Sequence, residues 1–174
     1  MDQVDTILAQ WHQERPDLDV GPMGIFGRLK RLTDHLSQEM AQLFRQHDLT
    51  AASFDVLATL RRAGPPYALS PSALISWTMV TSGTMTNRLD RLEAGGLIER
   101  RSNPEDGRGS VVALTDMGFR LIDQVVTEHV ANQHRLINDL PPPLRAAMDE
   151  ALRAWLARID PPKGEPPVTP APPA

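Results

Sequence analysis

A chain of 174 residues with a formal net charge of −4 and no cysteine has the length of one domain with a proper core. It cannot form disulfides, thiolate metal sites, cysteine nucleophiles or thiol redox sensors. Asp2, Asp5, Glu14, Arg15, Asp17 and Asp19 rule out a secretory leader at the start, and no uncharged apolar run approaches the ~18 residues of a membrane span. The expected compartment is therefore the cytoplasm, with no membrane partner. The negative balance counts against nucleic acid, whose phosphates supply most sequence-independent affinity, so any DNA face has to be a local patch.

Val4, Ile7, Leu8 and Trp11 share one face of a first helix over residues 3–14. Arg15-Pro16 ends it, because a residue before proline avoids helical geometry. Pro22 suits the first turn of a second helix that runs to about His47, with Ile25, Leu29, Leu32, Leu36, Met40, Leu43 and Phe44 as its apolar stripe. Thr50 caps a helix over 51–62, in which Phe54, Leu57, Ala58 and Leu60-Arg61 form the buried side. Gly64-Pro65-Pro66 stops it, and Ser70-Pro71 opens a short helix ending at Trp77.

The next stretch carries the most information. Thr81 or Ser82 caps a helix that ends at Gly95-Gly96, residues suited to a left-handed C-terminal cap. Strands follow at 97–101 and 110–114 around a polar turn, Asn103 to Gly109. A long amphipathic helix covers 115–138 (Phe119, Ile122, Val126, Val130, Leu136-Ile137), and a last one covers 143–159 (Leu144, Met148, Leu152, Trp155, Ile159). From Asp160 onward seven of fifteen residues are proline, a tail expected to be extended or disordered. The fold class is mainly α with a small β-wing, a winged helix-turn-helix. Four segments follow: N-terminal helices over 1–47, a DNA-binding winged domain over 48–115, C-terminal helices over 116–159 and the proline-rich tail over 160–174.

In the helix over 81–94, Met85, Leu89 and Leu92 fall at i, i+4 and i+7 and face the core. Thr84, Thr86, Asn87, Arg88 and Arg91, with the caps Thr81 and Ser82, lie on the other faces; Ser70 opens the preceding helix. Small hydroxyl residues at a helix start suit close approach to phosphates and base edges, and Arg and Asn pair bidentately with guanine and adenine. In the turn, glycines leave Arg108 at the tip, where an arginine suits the narrow minor groove. Asp106 can hold that guanidinium by a charge-assisted bond and fix its direction. The arginines of this segment, Arg88, Arg91, Arg100, Arg101 and Arg108, are matched by Asp90, Glu93, Glu99, Glu105 and Asp106. A DNA face therefore requires these acids to turn away or pair with arginine. A solvated amphipathic helix with a casual ion pair on the loop is the plainer alternative.

Asp106-x-Arg108 followed by Val111-Val112-Ala113-Leu114-Thr115-Asp116-x-Gly118 resembles the MarR family of bacterial transcription regulators. So does the string from Arg88 to Arg100, RLDRLEAGGLIER, which is similar to that family's recognition helix and first wing strand. The helix order across 20–159 fits as well. The resemblance implies a homodimer joined through its N- and C-terminal helices, each subunit inserting its recognition helix into double-stranded DNA at a pseudo-palindromic operator. It further implies a repressor released by a small molecule, since the absence of cysteine makes the oxidant-sensing members a poor guide.

Trp11, Asp55 and Arg88 match a triad in the branch of the family that responds to urate and related aromatic anions, a branch that also has an extra N-terminal helix. By that resemblance the effector is a small aromatic anion such as a purine, a benzoate or a hydroxypyridine carboxylate. Arg88 would neutralise its charge, Asp55 accept a ring N–H and Trp11 stack on its plane, with Arg15 a second cation. Trp11 equally suits a core or interface, Asp55 a helix-start charge and Arg88 a phosphate contact. His12, His35, His47, His129 and His134 form no metal-binding spacing, and no nucleophile elbow, phosphate loop or dinucleotide fingerprint is present. No cofactor, no metal and no enzymatic activity are expected. The reading from another class is a helical protein–protein interaction module without small-molecule sensing.

Overall fold

Thr50 and Ser70 each do what their sequence context predicts. The Thr50 hydroxyl accepts the Ser53 N–H at 3.0 Å and opens α3 (Ala51–Arg62). The Ser70 hydroxyl accepts the Ala73 N–H at 3.2 Å and opens α4 (Pro71–Trp77). The computed structural model describes residues 1–78, 85–102 and 109–160. Ahead of these helices run α1 (Gln3–Glu14) and α2 (Gly21–Arg45); after them come α5 (Met85–Ala94), α6 (Asp116–Ile137) and α7 (Pro142–Ile159). The chain separates into two units, Met1–Asn132 and Gln133–Ala174.

In the first unit a three-stranded antiparallel sheet has the order β1 (Ala68–Leu69), β3 (Ser110–Leu114), β2 (Ile98–Ser102). Its register places Ala68 opposite Ala113, and Ile98 opposite Leu114. The two longer strands match the expected wing strands to within a residue. β1 has no sequence signal, because two residues cannot display a period of two. The core beneath the sheet is built from Val56, Leu57 and Leu60 of α3, Leu74 of α4, Met85, Leu89 and Leu92 of α5, Ile98, Val112 and Leu114 of the sheet, and Ile122 and Val125 of α6.

α5 ends in a Schellman motif. The Gly96 N–H donates to Glu93 O and the Leu97 N–H to Leu92 O, both at 2.9 Å, and Gly96 carries a φ of 70°, which glycine adopts without a Cβ penalty. That reversal turns the chain from α5 into β2. Arg61, expected on the buried side of α3, instead lies half-buried with its guanidinium 4.6 Å from the Phe119 ring centre and paired with Asp123 at 2.8 Å. Its stem covers apolar surface while its charge stays near water.

α1 packs on α2 through the buried Val4, and Arg28 of α2 pairs with both Asp2 and Asp5 at 2.8 and 2.5 Å. Of the expected apolar stripe of α2, Phe44 is buried, Met40 and Leu43 pack on the core, Leu29 and Leu36 are half-buried, and Ile25 and Leu32 are exposed, as is Phe26 beside them. In the second unit, Arg145 donates to the carbonyls of Asn138 and Leu140 at 2.8 and 2.5 Å, closing the turn between α6 and α7. α7 buries none of its residues, and Leu144, Met148, Leu152, Trp155, Leu156 and Ile159 are exposed. No helix of the described residues is long and apolar enough to cross a membrane. The tail over 161–174 lies outside the described residues, as do residues 79–84 and 103–108.

Candidate nucleic-acid interface

At 100° per residue, Met85, Leu89 and Leu92 turn one side of α5 into the core, which leaves Thr86, Asn87, Asp90 and Arg91 exposed on the opposite side. Arg88 sits between the two faces. It is half-buried, and its Nη1 atom is shielded from solvent. The amide and guanidinium donors of Asn87 and Arg91, with the Thr86 hydroxyl, are therefore the hydrogen-bonding groups this helix offers outward.

Two of the acids on α5 are accounted for by β2. Arg100 donates through Nη2 to Asp90 Oδ1 at 2.6 Å and through Nη1 to Glu93, and its backbone N–H reaches Glu93 Oε1 at 3.2 Å. The hydrogen bond to Asp90 is the main cause that raises the guanidinium above its usual pKa. Glu99 is likewise paired with Arg101. The pairing demanded of this acidic chain is thus seen at Asp90, Glu93 and Glu99, and Arg91 stands exposed on the outer face. Sequence reading missed the part played by Arg100, whose partners lie seven and ten residues away across a helix-to-strand reversal.

The remaining expected DNA contacts divide. Ser70 is half-buried and spends its hydroxyl on the α4 cap. Thr81, Ser82, Thr84, Asp106 and Arg108 lie outside the described residues. Of the effector candidates, Asp55 on α3 and Arg88 on α5 belong to two helices that pack together, and the Asp55 carboxylate stands 4.0 Å from Arg62. Trp11 belongs to α1 and is 40% exposed. Arg15 forms a bidentate pair with Asp17 at 2.7 and 2.6 Å, a bond that holds the Asp17 carboxyl below its usual range. Among the described residues no three His, Asp or Glu side chains gather as a metal site.

Comparison with known proteins places this geometry. A MarR family model matches residues 47–109, a segment that takes in α3, α4, α5 and β2 and stops just before β3. The chain is 42% identical over 158 residues to the HTH-type transcriptional regulator PecS of Dickeya dadantii, covering 91% of this chain and 93% of that protein. Two of the similar solved structures bear on DNA binding. One is Bordetella bronchiseptica BpsR, whose DNA binding is regulated by 6-hydroxynicotinic acid (27% identity, TM-score 0.65, 75% of this chain and 91% of that one). The other is a mutant of Escherichia coli MarR complexed with operator DNA (27% identity, TM-score 0.65, 84% of this chain and 97% of that one). An α5 that presents amide and guanidinium donors, the paired strands β2 and β3 that follow it and a relative of this likeness over nearly the whole length lead to one conclusion: the chain belongs to the MarR family of winged helix-turn-helix, DNA-binding transcriptional regulators.

Proposed function

We propose that this protein is a homodimeric repressor that binds a pseudo-palindromic operator through α5 and the wing and is released by a small aromatic anion. The observation that carries the reading is the outer face of α5. Thr86, Asn87 and Arg91 are exposed there, while Arg100 neutralises the acids that would repel phosphate. Thr81, Ser82 and Thr84 extend that face by sequence, Ser70 lies at the start of the supporting helix, and Arg108, aimed by Asp106, enters the minor groove.

Dimerisation is supported by the apolar side chains left exposed on α1, α2 and α7, which a second copy would cover. In this assignment residues 1–47 and 116–159 join the subunits and 48–115 bind DNA. The effector role rests on Trp11, Asp55 and Arg88, with Arg15 at the rim. The relative BpsR, regulated by a hydroxypyridine carboxylate, supports that ligand class. The test is a gel shift with the DNA upstream of the protein's own coding sequence, titrated with 6-hydroxynicotinate, benzoate and urate. Salt-dependent retardation reversed by one of them is expected. Absence of binding to duplex DNA would leave the helical protein-interaction module as the better account.

A further inference from the structure

Arg62, the last residue of α3, reaches to the last residue of α4. Its Nη2 donates to the Trp77 carbonyl oxygen, and its Nη1 lies 4.0 Å from the Asp55 carboxylate. Asp55 and Arg62 are seven residues apart, so they share a face of α3, and the planar fork of one guanidinium serves both. The Trp77 carbonyl is among the last four of α4, which no bond within a helix can satisfy. Among the described residues the other nearby donors are committed elsewhere: the Thr78 N–H goes to Leu74 O, the Thr78 hydroxyl to Ile75 O and the Ser76 hydroxyl to Ala73 O. Arg62 thus supplies a charge-assisted C-terminal cap from another helix.

The anchor is firm, because Val56, Leu57 and Leu60 seat α3 in the core with no solvent exposure. The capped end is where the chain leaves α4 for the recognition helix. We propose that Arg62 is a positioning residue for DNA recognition: it pins the end of α4 to α3 and so sets the depth and angle at which α5 meets base edges. This rests on the reading that α5 enters the major groove. Base-edge pairing tolerates little misplacement, whereas phosphate attraction is indifferent to it. Loss of the pin should therefore cost specific binding and spare non-specific binding.

The experiment measures binding of the full-length protein to its own upstream duplex and to an unrelated duplex of equal length, across a salt series. If the parent protein fails to prefer its upstream duplex, the recognition reading itself fails, independently of Arg62. Given that preference, Arg62→Met is expected to weaken upstream binding about tenfold and binding to the unrelated duplex by less than about twofold, with an unchanged slope of log K against log salt. Arg62→Lys, which keeps the charge and a donor, should recover most of the loss. Should Arg62→Met fail to fold by circular dichroism, Arg62→Gln decides by the same comparison. Parental affinity in the folded variant overturns the proposal. So does an equal loss on both duplexes with a shallower slope, which would make Arg62 a phosphate contact.

Discussion

Gly118 and Leu97 meet backbone to backbone: a Cβ placed on Gly118 would fall 1.9 Å from the Leu97 carbonyl oxygen. Thr115 holds the approach together. Its hydroxyl donates to Gly96 O at 2.7 Å and accepts the Gly118 N–H at 3.0 Å, while its own N–H reaches Leu97 O at 3.2 Å. The start of α6 is thereby fixed to the residue that enters the wing. Gly118→Ala is expected to cost more than ~3 kcal/mol, since the obstacle is backbone and not a movable side chain. Urea denaturation measures it, and a loss within ~1 kcal/mol would mean that the junction yields.

Much of this architecture was legible locally. Caps at Thr50 and Ser70 and the reversal at Gly95-Gly96 act within a few residues, so their sequence signals survive into the fold. What escaped depends on distant partners. β1 exists because Ala68 and Leu69 meet Ala113 and Val112, and Arg62 and Arg100 are ordinary helix-end and strand arginines until tertiary packing brings Trp77, Asp90 and Glu93 within reach. The stripe of α2 teaches a related lesson. Periodicity shows which face is apolar and says nothing of what covers it: Ile25 and Leu32 belong to the apolar stripe and lie exposed. At the candidate sites, the outward set Thr86, Asn87 and Arg91 followed from the spacing of Met85, Leu89 and Leu92. The half-burial of Arg88 did not, because it sits on the boundary between faces.

Arg91→Ala and Arg108→Ala should each weaken operator binding by about tenfold and reduce the salt slope by about one, as expected for a side chain that contacts phosphate or a groove. Neither should lower the melting temperature, Arg91 being exposed and Arg108 standing between Gly107 and Gly109 in the sequence. Fluorescence anisotropy on the upstream duplex checks both. An unchanged slope for Arg91→Ala would place the DNA on another face of α5.

The exposed row on α7 predicts obligate dimerisation. Leu152 and Leu156 are one helical turn apart and exposed, so charges there would be desolvated against a second copy. Leu152→Glu combined with Leu156→Glu should yield a monomer by light scattering and lower operator affinity at least about tenfold through lost bivalency. Far-UV circular dichroism should change little, since neither residue is buried within the chain. A dimer that survives both changes would move the interface away from α7.

His129 predicts a pH dependence. Its ring stacks on Phe44 at 5.4 Å and meets Phe54 at a tilt of 48°, 4.8 Å between centres, and burial pushes its pKa below the usual 6.5. Above 6.5 the ring is neutral folded or unfolded. As the pH falls past 6.5 the unfolded chain takes up a proton that the folded chain refuses, so stability declines until the depressed folded value is passed. Glu128 acts lower down. The Gln124 amide, and then His47, hold its carboxyl below the usual 4.5, so its contribution is full above 4.5, declines as the pH falls below that value and is gone below the lowered one. Thermal midpoints at about pH 7.5 and about pH 5.5 bracket the His129 window and stay above that of Glu128. The drop between them should narrow in His129→Phe, and an equal drop would assign it to other groups.

Trp11, Asp55 and Arg88 are the residues on which effector release is expected to depend. If they serve one ligand, a planar aromatic anion should release the protein from its operator, because Arg88 lies on the helix that must fit the groove. A ligand shifts that equilibrium only by its differential affinity for the DNA-incompetent state, and operator DNA must weaken ligand binding by the same factor. Trp11→Phe should retain operator binding but lose ligand-induced release. Asp55→Ala should also lose release, with some loss of operator affinity because Asp55 lies beside Arg62. Arg88→Ala is expected to impair both functions, as half-burial ties this side chain to the fold as well as to the ligand. Calorimetry with 6-hydroxynicotinate, benzoate and urate distinguishes the cases. Parental ligand affinity in both the Trp11 and Asp55 variants would place the pocket elsewhere, while leaving the α5 interface untouched.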